Sequence, residues 1–141
     1  MGAGDFARMG STGGSGTGAG PDVTAPTVTG FIPADNATGV ANNADLRAIF
    51  SETVLLGSAG NITLKKTSDN STIKVWNVIT DAGLTAGKVS VVSGNILTMR
   101  TSAILADTTE FYVIWDAGVV TDPALNPAAA LSVTTPASQI T

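Results

Sequence analysis

Hydrophobic and polar residues alternate in short runs along most of the chain, with turn-forming stretches between them. The runs 27–32, 45–50, 61–66, 72–79, 88–92, 96–100, 110–116 and 129–134 are rich in β-branched and aromatic residues. Such short runs at regular spacing predict strands, and seven to eight of them fit two antiparallel sheets packed face to face. The segments 33–36, 57–60, 68–71 and 93–95 are built from Pro, Gly, Asp, Asn, Ser and Ala, most of them residues that tolerate tight or left-handed backbone. Residues 103–107 are expected to form a short helical turn crossing between the sheets.

Within each strand the period of two assigns a face. Leu46, Ala48 and Phe50 fall on one side, as do Ile62 with Leu64, Leu97 with Met99, and Phe111 with Val113 and Trp115. These are the expected core. Tyr112 and Ile114 then lie on the opposite side of their strand, near an outward Ile49, and mark a candidate contact surface. Trp76 is ambiguous: it faces outward if Ile73 and Val75 face the core, and turns inward if the strand bulges. An outward Trp76 would suit stacking on a sugar or on a partner protein.

Length and composition narrow the classes of function. A chain of 141 residues supports one core of ordinary size. Hydrophobic residues make up 43% and charged residues 13%, so the surface is dominated by Thr, Ser, Asn and Gly. The net charge of −4 and the scattered cations argue against a nucleic-acid partner. There is no cysteine and no histidine, which removes disulfides and Ser-His or Cys-His nucleophile systems. The first ten residues contain no apolar stretch behind a basic start, so they do not read as a secretory leader, and no later run is long enough to insert in a membrane. The chain is therefore expected to be either a trimmed piece of a secreted protein or a product that reaches the outside by another route, such as assembly on a virion.

Residues 1–21 differ in kind from residues 22–141. Eight of the sixteen glycines lie in the first twenty positions, a linker composition. In this glycine background Phe6, Arg8 and Met9 are the side chains able to anchor the arm to a partner. The remaining chemistry lies in carboxylates. Glu52, Asp107, Glu110, Asp116 and Asp122 are the candidates for acid–base work, but each falls in a turn or at a strand end, where acidic residues ordinarily cap backbone donors. Gly13 to Gly18 lacks the preceding strand, the lysine and the following helix of a phosphate loop. No cofactor is expected. Asp116, Asp122 and Asn126 share one long connection that would offer oxygens to calcium, although the spacing matches no EF-hand and a turn-forming role is the simpler reading.

Several stretches together resemble a known family. They are Thr24-Ala-Pro-Thr-Val, Phe31-Ile-Pro-Ala-Asp-Asn-Ala-Thr-Gly-Val, Leu46-Arg-Ala-Ile-Phe-Ser-Glu, Gly60-Asn-Ile-Thr-Leu, and Phe111 through Asn126. The resemblance is to the bacterial Ig-like domains of S-layer proteins, adhesins and some phage virion proteins, and it spans 23–135. It implies an all-β, Ig-like antiparallel sandwich following a Gly-rich N-terminal arm. The chain departs from the family at Thr53, where proline usually follows Ser-Glu, and at Leu125 and Pro127, where small residues including a glycine before Asn126 are usual. The implied role is non-enzymatic: decoration of a virion surface through multi-copy contacts with capsid or other virion subunits. The alternatives are a spacer or adhesion module at the bacterial cell surface, or a carbohydrate-binding module recognising a cell-surface glycan.

Overall fold

In a computed structural model, residues 20–34, 37–92, 94–132 and the backbone of 139–140 are described. Ten short strands are present among the described residues, seven of them on runs that the sequence pattern marks and β3, β9 and β10 outside them: β1 (Val28–Ile32), β2 (Leu46–Phe50), β3 (Leu55–Leu56), β4 (Asn61–Lys66), β5 (Thr72–Asn77), β6 (Val89–Val92), β7 (Ile96–Met99), β8 (Phe111–Trp115), β9 (Val120–Thr121) and β10 (Gln139–Ile140). Sheet I has the order β1-β2-β7-β6 and sheet II the order β10-β8-β4-β5. All neighbouring strands are antiparallel. A separate pair, β3 with β9, forms a clasp at one end. Among the described residues there is no helix. The architecture is the two-sheet antiparallel sandwich that the alternation predicts, in the Ig-like form that the resemblance implies.

The core is the inner face of each sheet. Leu46, Ala48, Phe50, Leu97 and Met99 from sheet I meet Ile62, Leu64, Phe111, Val113 and Trp115 from sheet II, and all are buried. Removing this apolar surface from water is the main favourable contribution to the fold. The rings of Phe50 and Trp115 lie 6.0 Å apart across the sandwich, and Phe31, also from sheet I, adds a ring 6.2 Å from Trp115.

Three details differ from the expected elements. Residues 103–107 form bends without helix, because the chain is tied locally by the bond from Leu105 N to Asn42 O at 2.8 Å instead of an i to i−4 ladder. The run 129–134 contributes a single bridge, Leu131 to Trp115, and residues 133–138 lie outside the described residues. The strand that pairs along β8 is β10, with Gln139 opposite Tyr112 and Ile140 opposite Phe111. The turns at Asp35, Asn36 and Ser93, and the arm residues Phe6, Arg8 and Met9, likewise lie outside the described residues.

Register fixes the two ends. Val28 sits opposite Phe50, so the chain comes into β1 at the end where β2 finishes. Ile140 sits opposite Phe111, at the end where β8 begins and Leu46 starts β2. We call these the Phe50 end and the Leu46 end.

Candidate functional site

The exposed face expected around Tyr112 is corrected by the structure. Tyr112 is buried, its hydroxyl donating to Asn70 Oδ1 at 2.9 Å, because the 68–71 turn and the backbone of β10 both lie against this part of β8. Ile114 is half-buried. In register with it run Thr63 and Val75, giving a short stripe across sheet II that ends at exposed Val75. Trp76 is fully buried rather than available for stacking. Its indole N–H donates to Arg100 O at 3.1 Å, which satisfies the one polar atom that burial would otherwise orphan. Ile73 and Val75 are correspondingly the outward residues of β5.

At the Phe50 end, three carboxylates converge. Asp22, Glu52 and Asp122 each place an oxygen within 4.8 Å of the others. Their positions follow from the loops. Asp22 precedes β1, Glu52 follows β2, and Asp122 starts the turn after β9, which folds back through Leu125 N to Asp122 O at 2.9 Å. Asp122 is buried and its two oxygens accept from Asn126 N and Asn126 Nδ2, both at 2.8 Å. The same amide donates to Asp22 O at 2.9 Å, so Asn126 staples the leading segment to this turn. Burial alone would raise the Asp122 carboxyl, but hydrogen bonds from the Asn126 side chain and from the Asn126 and Ala124 backbone outweigh it and hold it below the usual range. Glu52 is pushed up by partial desolvation and by repulsion from Asp22 and Asp122.

This differs from the calcium set read from sequence. Asp116 is not a member of the cluster, and its Oδ2 accepts from Asn61 N at 2.9 Å, fixing the start of β4. Asp122 and Asn126 are brought together, but as donor and acceptor of one turn. Asp22 and Glu52 were not paired with Asp122 on the sequence, since they lie far from it along the chain.

At the Leu46 end a groove of about 650 Å³ opens between segment 38–46 and segment 105–111. Val40, Ala41, Leu105 and Phe111 give it an apolar floor, with Asp107 and Glu110 at its margin. Asn42 Nδ2 donates to Asp107 Oδ1 at 2.8 Å and ties the two segments together. The five candidate carboxylates are thus divided between opposite ends of the sandwich.

With this fold, a profile of the bacterial Ig-like domain matches residues 22–135, and the chain belongs to that family. Comparison with curated proteins and with solved structures returned no match. The position where the family usually carries glycine is occupied by Leu125, which adopts φ 70. The turn keeps its left-handed backbone and accepts the strain of a side chain there. Among the described residues no helix is long and apolar enough to cross a membrane.

Proposed function

We propose that the domain is a non-catalytic interaction and spacing module displayed on the outside of a larger assembly. The observation that carries this reading is the placement of its two chain ends: β1 begins at the Phe50 end, and β10 runs toward the Leu46 end. A module traversed in this way separates whatever is attached before it from whatever follows. Membership of the bacterial Ig-like family supports a surface or adhesion role.

Within that reading, the form we favour is a virion decoration or accessory protein. The Gly-rich residues 1–21 precede the Phe50 end and carry Phe6, Arg8 and Met9, side chains suited to a neighbouring subunit of a particle. Many copies on one lattice would compensate for a weak single contact. The second form, a spacer at a bacterial surface, draws on the same separation of chain ends.

Cosedimentation distinguishes them. The intact chain and a variant lacking residues 1–21 are mixed with virions stripped of the protein and with bacterial envelopes. Saturable binding to virions that falls at least tenfold without the arm is expected. Undiminished binding of the shortened variant rejects an anchoring arm, and binding to envelopes alone favours the cell-surface form.

A further inference from the structure

The groove at the Leu46 end continues past the space between segments 38–46 and 105–111. A second depression of about 300 Å³ adjoins it, sharing Leu105 and Phe111 and adding Ile73 and Ile104, which are 43% and 72% exposed. Large apolar side chains left in water beside a concave apolar floor mark a candidate interaction surface. Charge is divided across it. Asp107 and Glu110 line the first space, and Lys66 and Lys74 the second. The lysines are partly offset by Asp69 and Asp81, whose carboxyls they help to lower. Lys66 also shares a neighbouring hollow with Glu110, yet among the described residues no ion pair engages Glu110 or Asp107.

Residues 1–21 carry the complement. Arg8 is their one Lys or Arg, it lies between Phe6 and Met9, and Asp5 stands three positions before it. Two apolar side chains flanking a guanidinium match an apolar floor with two carboxylates at its margin, and Asp5 falls toward the lysines. The attachment of the segment decides whose groove it fills. Asp22 is held at the Phe50 end, where Asn126 Nδ2 donates to its carbonyl oxygen at 2.9 Å. The five residues of β2 alone separate the two ends by about 17 Å, and the loops beyond each end lengthen the path. Gly20 follows Phe6 by fourteen positions, and a Gly-rich link of that length has a mean reach of about 20 Å. To fill its own groove the arm must double back along the outside of the sandwich. A copy stacked end to end instead sets its groove directly before the arm's exit.

We propose that Phe6, Arg8 and Met9 of one copy dock in the Leu46-end groove of a second copy, the two apolar side chains on the floor of Val40, Leu105 and Phe111 and the guanidinium against Glu110 and Asp107. The contact joins two different patches, so it adds copies head to tail along the long axis of the domain. The inference rests on the reading of residues 1–21 as an anchoring arm, and it names the neighbouring subunit as another copy of this chain.

The test uses full-length chains. Because the sequence has no cysteine, Ser11→Cys gives a single site for a nitroxide spin label. Spin-labelled chain without ¹⁵N is added to ¹⁵N-labelled parent chain, so broadening of the parent's signals comes from another copy. The amides of Val40, Leu105 and Asp107 are expected to broaden as concentration rises, and those of Glu52 and Asp122 at the Phe50 end to stay sharp. Arg8→Glu in the spin-labelled chain should weaken the broadening at least tenfold, and Glu110→Arg in the parent should restore it. Arg47→Glu, the same charge change on the outer face of sheet I, should leave it intact. Phe6→Ala should weaken it as Arg8→Glu does, which keeps the test independent of whether Glu110→Arg folds. No broadening at any concentration, or broadening equal in Arg8→Glu and Phe6→Ala, overturns the contact. Broadening of the groove in a ¹⁵N-labelled, spin-labelled chain diluted into excess unlabelled parent assigns it to the chain's own arm and overturns the second copy. If the groove stays sharp while removal of residues 1–21 still abolishes cosedimentation, the arm engages a different subunit and this contact alone falls. Undiminished cosedimentation without those residues removes the arm reading itself.

Discussion

The rings of Phe50 and Trp115 meet across the sandwich at 6.0 Å and 35°, joining the end of β2 in one sheet to the end of β8 in the other. The Trp115 indole N–H donates to Ala129 O at 3.1 Å, so this buried aromatic also fixes the chain after β9. Replacing either residue by alanine should cost about 3–5 kcal/mol, since the rigid surroundings collapse only partly into the space left. Urea unfolding followed by tryptophan fluorescence for Phe50→Ala, and by circular dichroism for Trp115→Ala, checks this. A loss below about 1 kcal/mol would contradict the burial.

Leu125 gives the opposite sign. Its φ of 70 is a backbone state that disfavours side chains, and its own side chain is exposed, so nothing compensates the strain. Leu125→Gly should stabilise the domain by about 0.5–1 kcal/mol, the relief of left-handed strain less the added freedom of glycine when unfolded. The urea midpoint should rise with an unchanged slope.

Gly57 is required by close approach. A Cβ at this position would overlap Gly118 O, beside the clasp bond from Gly57 N to Val119 O at 2.8 Å. Gly57→Ala should therefore destabilise by about 1–3 kcal/mol, because the obstruction is backbone. At Gly30 an added Cβ meets nothing within 4 Å, and Gly30→Ala is the control, expected within about 0.5 kcal/mol of the parent.

Acid should act in two stages. Asp69, Asp81 and Asp122 have carboxyls lowered from 3.8, so the stability they supply is complete above that value and is lost as pH falls through their folded values. Hydrogen bonding from Ser71 is the main cause at Asp69 and from Asn77 N at Asp81, while at Asp122 the bonds from Asn126 overcome desolvation. Glu52 is raised above 4.5, so it penalises the fold at neutral pH and the penalty lifts on protonation. Urea midpoints should rise slightly as pH falls toward 4.5 and drop below 3.8. Glu52→Gln should raise the midpoint at pH 7 and abolish the first stage.

The cluster of Asp22, Glu52 and Asp122 is expected to act as turn structure. Because Asn126 already occupies both Asp122 oxygens, millimolar calcium should leave the melting temperature unchanged, while Asn126→Ala should lower it and raise the Asp122 carboxyl. A calcium-dependent rise that vanishes in Asp122→Asn would instead establish a cation site.

Legibility in the sequence tracked how far each residue's surroundings were local. Leu46, Ala48 and Phe50 were readable because alternation alone decides a central strand. Trp76 was not, since β5 is a sheet edge carrying large apolar residues at both parities, and the side that turns in is set by core contacts and the Arg100 carbonyl, both distant along the chain. Tyr112 looked free because its cover comes from the 68–71 turn and from β10, which at two residues is too short to give a strand signal. The acidic cluster joins residues from three separate loops, and spacing along a chain carries no trace of such a meeting.

The placement of β1 and β10 also has a mechanical consequence. Tension applied to the two ends of the domain pulls β1 along β2 and β10 along β8, parallel to the strands. The hydrogen bonds of each ladder are then loaded together in shear, instead of being peeled one at a time from a shared end. Such a domain resists stretching best along the axis on which an attached partner would pull.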